Sequence, residues 1–188
     1  MPRIGFKNLY VAKVLKDSRT ELSYETPVYL GDTIEGNLNP NFSRTPYYAN
    51  DTLKKVYTSM GQGEITLGLG ELSDEMSALL FGHKINTDGI LEKKESDVAP
   101  EFAVLFETPV GDGDSKYVVI TKATFTPGEQ SMSTKGEGIE PQTDSVTGSF
   151  VPREFDGKWQ VSADTRDETT DPTVFTNWFT KVYGQPTP

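Results

Sequence analysis

The residue types that most often perform catalysis are scarce in this chain of 188 residues. It has no cysteine and one histidine, His83, so the common zinc and thiolate sites cannot be assembled. His83 follows a glycine that we expect to end a helix, where a solvated or hydrogen-bonded imidazole is the ordinary state. The phosphate-binding glycine motifs are incomplete as well, because Gly61-x-Gly63 and Gly68-x-Gly70 each lack a third glycine.

Acidic residues are plentiful, but their spacing singles out no site. Asp112-Gly113-Asp114 is similar to the start of a calcium-binding loop, yet the downstream glycine and glutamate are missing, which favours a hairpin tip. Glycoside hydrolysis needs only a pair of carboxylates, and no pair stands out here. We therefore expect a protein without catalysis, metal or cofactor, and an acidic hydrolase is the third alternative.

Charge and hydropathy argue against two classes of partner. The net charge is −10 at pH 7, so binding to nucleic acid by neutralising its phosphates is not expected. No segment of the sequence is long and apolar enough to span a bilayer, which predicts no membrane partner. The length is typical of a single domain, and we predict one domain over residues 1–188.

Period-2 alternation dominates the sequence and predicts a mainly β (α+β) fold, an antiparallel sandwich or partial barrel with two helices. The clearest stretch, Thr143–Ala163, alternates on both sides of Asp156-Gly157, which predicts a long hairpin with Phe150 and Trp159 in the core. A second hairpin is predicted from Phe102–Phe106 and Lys116–Phe125, and a further strand from Met132–Ile139. The remaining predicted strands are Ile4–Leu15, Tyr24–Leu30, Thr33–Asn39 and Glu64–Gly70.

Two helices follow from capping signals. Ser73 and Gly82 bracket the first one. Asp171 and Pro172 begin the second, for which we predict the range 171–184. Its apolar residues recur at helical spacing, so Phe175, Trp178 and Phe179 are predicted to lie in the core.

Residues 39–63 interrupt the alternation and are predicted to form an irregular, extended arm. The segment has too many large apolar side chains for a solvated tail, and aromatic residues on such an arm are typical of protein interfaces. The alternative is a loop folded over its own domain. The residues predicted to contact another subunit are Phe42, Tyr47, Tyr48, Asn50, Asp51 and Tyr57.

Four stretches of the sequence resemble the major tail tube proteins of siphophages that infect Gram-positive bacteria. Siphophages are phages with long, non-contractile tails. The four stretches are Arg3–Tyr10, Tyr47–Asp51, Asp97–Pro100 and the thirteen residues Thr147–Trp159. The last is the most specific because of its length. An acidic residue often stands in the family at the position of Asn50. Some relatives carry an added immunoglobulin-like domain, which we do not expect here.

The resemblance implies a structural subunit of the virion that is made in the host cytoplasm. Such subunits form hexameric rings that stack into a tube, through which the genome and, during assembly, the tape-measure protein pass. Terminator and tip proteins are further implied partners, and DNA is implied to pass without specific binding. The alternative is a non-catalytic binding or decoration module of a tail tip or capsid.

In such a tube, the polar faces of the strands beside the arm would line the lumen. The candidates are Glu35, Asn37, Glu64, Thr66, Thr147 and Ser149. Arg153 and Glu154 are predicted to contact the lumen or another subunit.

Overall fold

Antiparallel strands make up most of the computed structural model, which describes residues 5–128 and 143–186. Its strands are β1 (Lys7–Asp17), β2 (Leu22–Tyr24), β3 (Val28–Gly31), β4 (Thr33–Asn39), β5 (Phe42–Ala49), β6 (Thr52–Met60), β7 (Gly63–Leu69), β8 (Lys84–Ile85), β9 (Leu91–Glu92), β10 (Glu101–Gly111), β11 (Asp114–Pro127), β12 (Asp144–Phe150) and β13 (Gln160–Asp164). The helices are α1 (Asp74–Phe81) and α2 (Pro172–Thr176). The predicted mainly β fold with two helices is confirmed.

The largest sheet has the strand order β2-β1-β10-β11-β12-β7-β4, with β3 also paired to β1 and β13 also paired to β11. Two groups of buried side chains pack on it. One fills the space between the sheet and α1, around Leu67, Leu80 and Phe125. The other lies under α2 and includes Trp178 and Val182. The sheet therefore has an apolar layer on parts of both surfaces.

Both helices begin as their caps predict. The Ser73 hydroxyl accepts a hydrogen bond from the Met76 N–H at 3.3 Å, and Gly82, at φ 72°, ends α1. Asp171 caps α2 by accepting from the Thr173 N–H at 2.9 Å. The predicted range of the second helix, 171–184, is wrong, because α2 ends at Thr176. The side-chain amide of Asn177 donates to the Thr173 carbonyl at 3.0 Å and so competes with the continuing helix.

The hairpin predicted over Thr143–Ala163 is also wrong. Strands β12 and β13 do not pair with each other; both pair with β11, β12 with Ala123–Pro127 and β13 with Lys116–Ile120. The two therefore follow one another along the same side of β11, and the residues between them leave the sheet. Hydrogen bonds from Val151 N–H to the Lys122 carbonyl and from Thr121 N–H to the Trp159 carbonyl, both 3.0 Å, close this excursion. The turn at Asp156-Gly157 exists, with Gly157 at φ 69°, but it lies within the excursion.

The arm predicted as irregular is a regular two-stranded hairpin, β5–β6. It continues the β4–β7 pair beyond a break at residues 40–41 and 61–62, where the Gly61 N–H donates to the Asn41 carbonyl at 2.8 Å. Its turn is Asn50-Asp51, and both residues have positive φ, as a tight hairpin turn requires. The alternation was missed because both faces of this hairpin are exposed, so apolar residues occur on each. The strand predicted over Met132–Ile139 lies outside the described residues.

Candidate functional site: a polar sheet face and an exposed arm

The six residues predicted to face a lumen lie together on one surface of the sheet. Strand register aligns them across β11, β12, β7 and β4 in two rows, which are Thr126, Thr147, Thr66, Asn37 and Thr124, Ser149, Glu64, Asn39. Glu35 and Ser145 lie on the same surface, opposite Gly68 on β7. We call these ten residues the polar face; each is exposed or half-buried. The sequence identified six of its ten members, and strand pairing adds Asn39, Thr124, Thr126 and Ser145 to the same surface.

The reverse side of the same four strands is apolar and belongs to the core. Ile65, Leu67, Val146 and Phe125 are each at most 2% exposed. Phe150 is 1% exposed, and its ring lies directly against Gly63, where an added Cβ would overlap it. Each strand thus has one side fixed by packing, which leaves the polar face as the surface available for function.

The polar face carries little charge, and all of it is negative. Its ionisable side chains are Glu35 and Glu64, and neither forms a salt bridge with any residue that the structure describes. The other members are hydroxyl or amide side chains, which are neutral. This surface therefore offers hydrogen bonds to water and no cationic group to a phosphate.

The second feature is the hairpin β5–β6, called the arm below. All six residues predicted for inter-subunit contact are on it, with Asn50 and Asp51 at its tip. Its base is attached to the body, since the rings of Phe42 and Trp159 lie 6.5 Å apart. Towards the tip, Tyr47, Tyr48 and Tyr57 are 53%, 63% and 54% exposed, so no part of the subunit that the structure describes covers them.

The two faces of the arm differ in composition. One presents apolar side chains, because the register pairs Pro46 with Val56 and Tyr48 with Leu53. The other presents Tyr47 and Tyr57, and the Lys55 Nζ lies 4.8 Å from the centre of the Tyr57 ring. An apolar face this exposed on a monomer is typical of a surface that another protein covers.

The remaining aromatic residues predicted for the core pack on the large sheet. Trp159 is half-buried and stacks on Phe150 with ring centres 5.6 Å apart. Trp178 is 2% exposed, while Phe175 and Phe179 are half-buried and pack around the Tyr117 ring. These contacts hold α2 on the sheet.

Arg153 lies in the core, so its prediction as a lumen or contact residue is wrong. It is 1% exposed, and its Nε and Nη2 atoms each lie 2.7 Å from an oxygen of Asp156. Its Nη1 lies 3.4 Å from the Tyr24 hydroxyl. Hydrogen bonds from the guanidinium outweigh burial and hold the pKa of Asp156 far below its ordinary value. The pair therefore remains ionised and fixes the excursion against the body.

Asp17 anchors the same excursion from the other side and was not found from the sequence. Its carboxylate accepts hydrogen bonds from the backbone N–H groups of Glu154 and Phe155, at 3.0 and 3.2 Å, and from the Lys122 amine at 3.1 Å. Burial raises the pKa of Asp17, but these hydrogen bonds outweigh it and lower the pKa. Asp17 stands at the end of a strand, before a Ser-Arg turn, and nothing in its local sequence indicates a contact with such distant residues.

His83 has a structural partner. Its Nδ1 lies 2.7 Å from Asp97 Oδ2, and the same carboxylate accepts the Lys94 N–H at 2.8 Å. The pair thereby ties the loop after β9 to the end of α1. Within residues 5–128 and 143–186, no group of three or more potential ligands is placed to hold a metal ion. No helix in that part of the chain is long and apolar enough to cross a membrane.

A polar sheet surface, an apolar reverse side and a projecting arm define a protein built for assembly. The sequence model of one family, the phage tail tube proteins, matches residues 36–179. That range includes the arm, all of the polar face except Glu35, and all of α2 with the first turn after it. The chain therefore belongs to the phage tail tube protein family, whose role is structural. The search among curated proteins returns no match.

Proposed function

We propose that this chain is the subunit of a siphophage tail tube, in which six copies close into a ring and rings stack through their arms. The polar face lines the lumen, which conducts DNA during genome delivery. The observation that carries the proposal is the alignment of the six candidate residues on one water-facing surface whose reverse side is core. The subunit is a structural protein without catalysis.

Ring closure needs sheet edges that can pair, and the four-stranded segment offers two. Among the described residues, β4 pairs only with β7, and Phe125–Pro127 of β11 pair only with β12. Successive strands of the segment are antiparallel, so β4 runs antiparallel to β11. A β4 edge placed beside the β11 edge of the next copy therefore continues an antiparallel ladder and removes both exposed edges.

The dimensions of such a barrel suit a conduit. Six copies of four strands spaced about 4.8 Å apart give a circumference of roughly 115 Å and a backbone diameter of roughly 37 Å. Strand tilt widens it further. The side chains of the polar face are mostly the short Thr, Ser and Asn, so they occupy little of the opening.

The charge of this lining favours passage over binding. A ring of Glu35 and Glu64 repels phosphates within a Debye length, about 8–10 Å at physiological salt. The neutral hydroxyls and amides between them provide no counterion release, which supplies most of non-specific affinity for DNA. The same lumen would hold the tape-measure protein during assembly, and terminator and tip proteins would meet the end rings. Synthesis in the host cytoplasm precedes assembly into the virion.

The experiment that tests the proposal removes the arm. Replacing Tyr47–Tyr57 by a short glycine linker should leave a folded subunit that no longer forms tubes in negative-stain micrographs, because the stacking contact is gone. Ile90→Ser, a change at another exposed apolar side chain, is the control and should form tubes like the unaltered chain. Normal tubes from the arm deletion would contradict the role of the arm.

A further inference from the structure

The arm carries positive charge in a protein whose total charge is −10. Arg44, Lys54 and Lys55 are all exposed on it, against a single acid, Asp51. None of the three cations forms a salt bridge with a described residue. The arm therefore combines exposed apolar side chains with cations that have no acidic partner among the described residues.

The opposite end of the same strand pair has the complementary character. The arm continues from the end of β4 and leads into the start of β7, so residues before β4 and after β7 lie at the far end of the pair. Four exposed carboxylates lie in these segments at the far end, and we call them the acidic end: Asp32, Glu71, Asp74 and Glu75. None of them forms a salt bridge among the described residues.

Apolar side chains are exposed beside these carboxylates. Ile34 and Tyr29 are 57% and 43% exposed, and the Tyr29 hydroxyl donates to Asp32 at 2.9 Å. The acidic end is therefore a mixed surface, with uncovered apolar groups bordered by negative charge. That composition matches a partner that presents apolar side chains bordered by positive charge.

The arm and the acidic end belong to one strand pair and point in opposite directions. The arm extends roughly 30 Å past the sheet, since β6 has 9 residues and a strand rises about 3.3 Å per residue. When identical subunits stack in the same orientation, the arm of one meets the far end of the next. The cations of the first then face the carboxylates of the second.

We infer that the arm of each subunit docks on the acidic end of a subunit in the neighbouring ring, with Lys54 and Lys55 facing Glu71, Asp74 and Glu75. This inference rests on the proposed stacking of rings and specifies the surface that receives the arm. Electrostatic attraction orients the two rings, and the contact is stabilised by burying the exposed apolar side chains next to these cations, Leu53 beside Lys54 and Tyr57 beside Lys55, against Ile34 and Tyr29. Because the contact joins two different surfaces of the same chain, it is head-to-tail and can repeat along a tube.

Charge exchange tests the pairing. The double variant Lys54→Glu/Lys55→Glu should fold but lower the yield of tubes at least about tenfold, because attraction becomes repulsion at every arm of a ring. Glu71→Lys/Glu75→Lys should do the same, and the four changes together should restore tubes. Lys93→Glu/Lys94→Glu reverses the charge of two lysines that lie outside both surfaces, and it is the matched control. Unaltered assembly of the first variant, or no recovery on combination, overturns the inference.

Cross-linking separates this inference from the proposal on which it rests. Because the chain has no cysteine, a mixture of the Lys54→Cys and Glu71→Cys proteins reports contact between the two surfaces through disulfide formation alone. A disulfide to Glu71→Cys in clear excess over one to Lys93→Cys supports the docking even if long tubes do not form. Equal cross-linking to both overturns the docking, whereas ring formation without it leaves the proposed barrel intact.

Discussion

The ion pair of Arg153 and Asp156 allows a stability prediction with a magnitude. Arg153 is 1% exposed and Asp156 provides both oxygens to its guanidinium at 2.7 Å. Asp156→Ala leaves that cation buried with the Tyr24 hydroxyl, at 3.4 Å, as its remaining side-chain partner among the described residues. Breaking a buried pair in this way costs about 3–5 kcal/mol. The side chain of Asp156 is 22% exposed, so water can reach the site, and we expect a loss of about 3 kcal/mol.

Chemical denaturation of the monomer measures this loss, and calorimetry gives the change in melting temperature. A loss of about 3 kcal/mol corresponds to a decrease of roughly 6–12 °C for a chain of this size. Lys158→Ala is the matched control, because Lys158 contacts the same carboxylate at 3.1 Å but is 58% exposed, and we expect it to cost at most about 1 kcal/mol. Equal losses for the two variants would refute the reasoning, since the buried guanidinium would then need no anion.

Two further predictions concern packing and pH. Gly63→Ala should destabilise the fold by about 1–3 kcal/mol in urea denaturation, because the added methyl group overlaps the Phe150 ring. Gly61→Ala is the control, because its Cβ would meet its nearest neighbour at an ordinary contact distance of 3.6 Å. Equal effects of the two substitutions would contradict the packing argument. The pKa values of Asp17 and Asp156 are lowered by folding, so their stabilisation is complete above the ordinary aspartate pKa of about 4 and is lost as the pH falls below it. Asp17→Asn should therefore lose less stability between about pH 6 and about pH 3 than the unaltered chain does, and an unchanged pH dependence would argue against the carboxylate's role.

The sequence predicted the sheet where alternation separates a core side from a water side. In β7, Ile65 and Leu67 alternate with Glu64 and Thr66, and the structure keeps that division. The cap residues Ser73 and Asp171 correctly marked where the helices begin. Local chemistry sufficed in these cases because each signal depends on residues a few positions apart.

Pairing between distant strands could not be predicted in the same way. The Asp156-Gly157 turn is real, yet tertiary contacts from Lys122 and Thr121 keep β12 and β13 beside β11, so the local signal did not produce a hairpin. The arm was predicted as an interaction segment, but its regular hairpin was not. A hairpin exposed on both faces has no single core side, although Asn50-Asp51 is a turn signal that could have identified it.

The candidate site depends on both kinds of information. Residue types identified Thr66, Thr147 and their neighbours as polar positions, but only the register of β4, β7, β12 and β11 places them in rows on one surface. The buried position of Arg153 shows the limit of residue type as a guide. Its charge and its position after a predicted strand favoured the surface, whereas the bidentate contact of Arg153 with Asp156 holds it in the core.

The most direct test of the central claim is a helical reconstruction of the assembled tube by electron cryomicroscopy. We predict that the side chains of Glu64, Thr66 and Thr147 project into the lumen and that β4 of each subunit pairs with β11 of its neighbour. A map in which this polar face lies on the outside of the tube, or is buried between rings, would contradict the account.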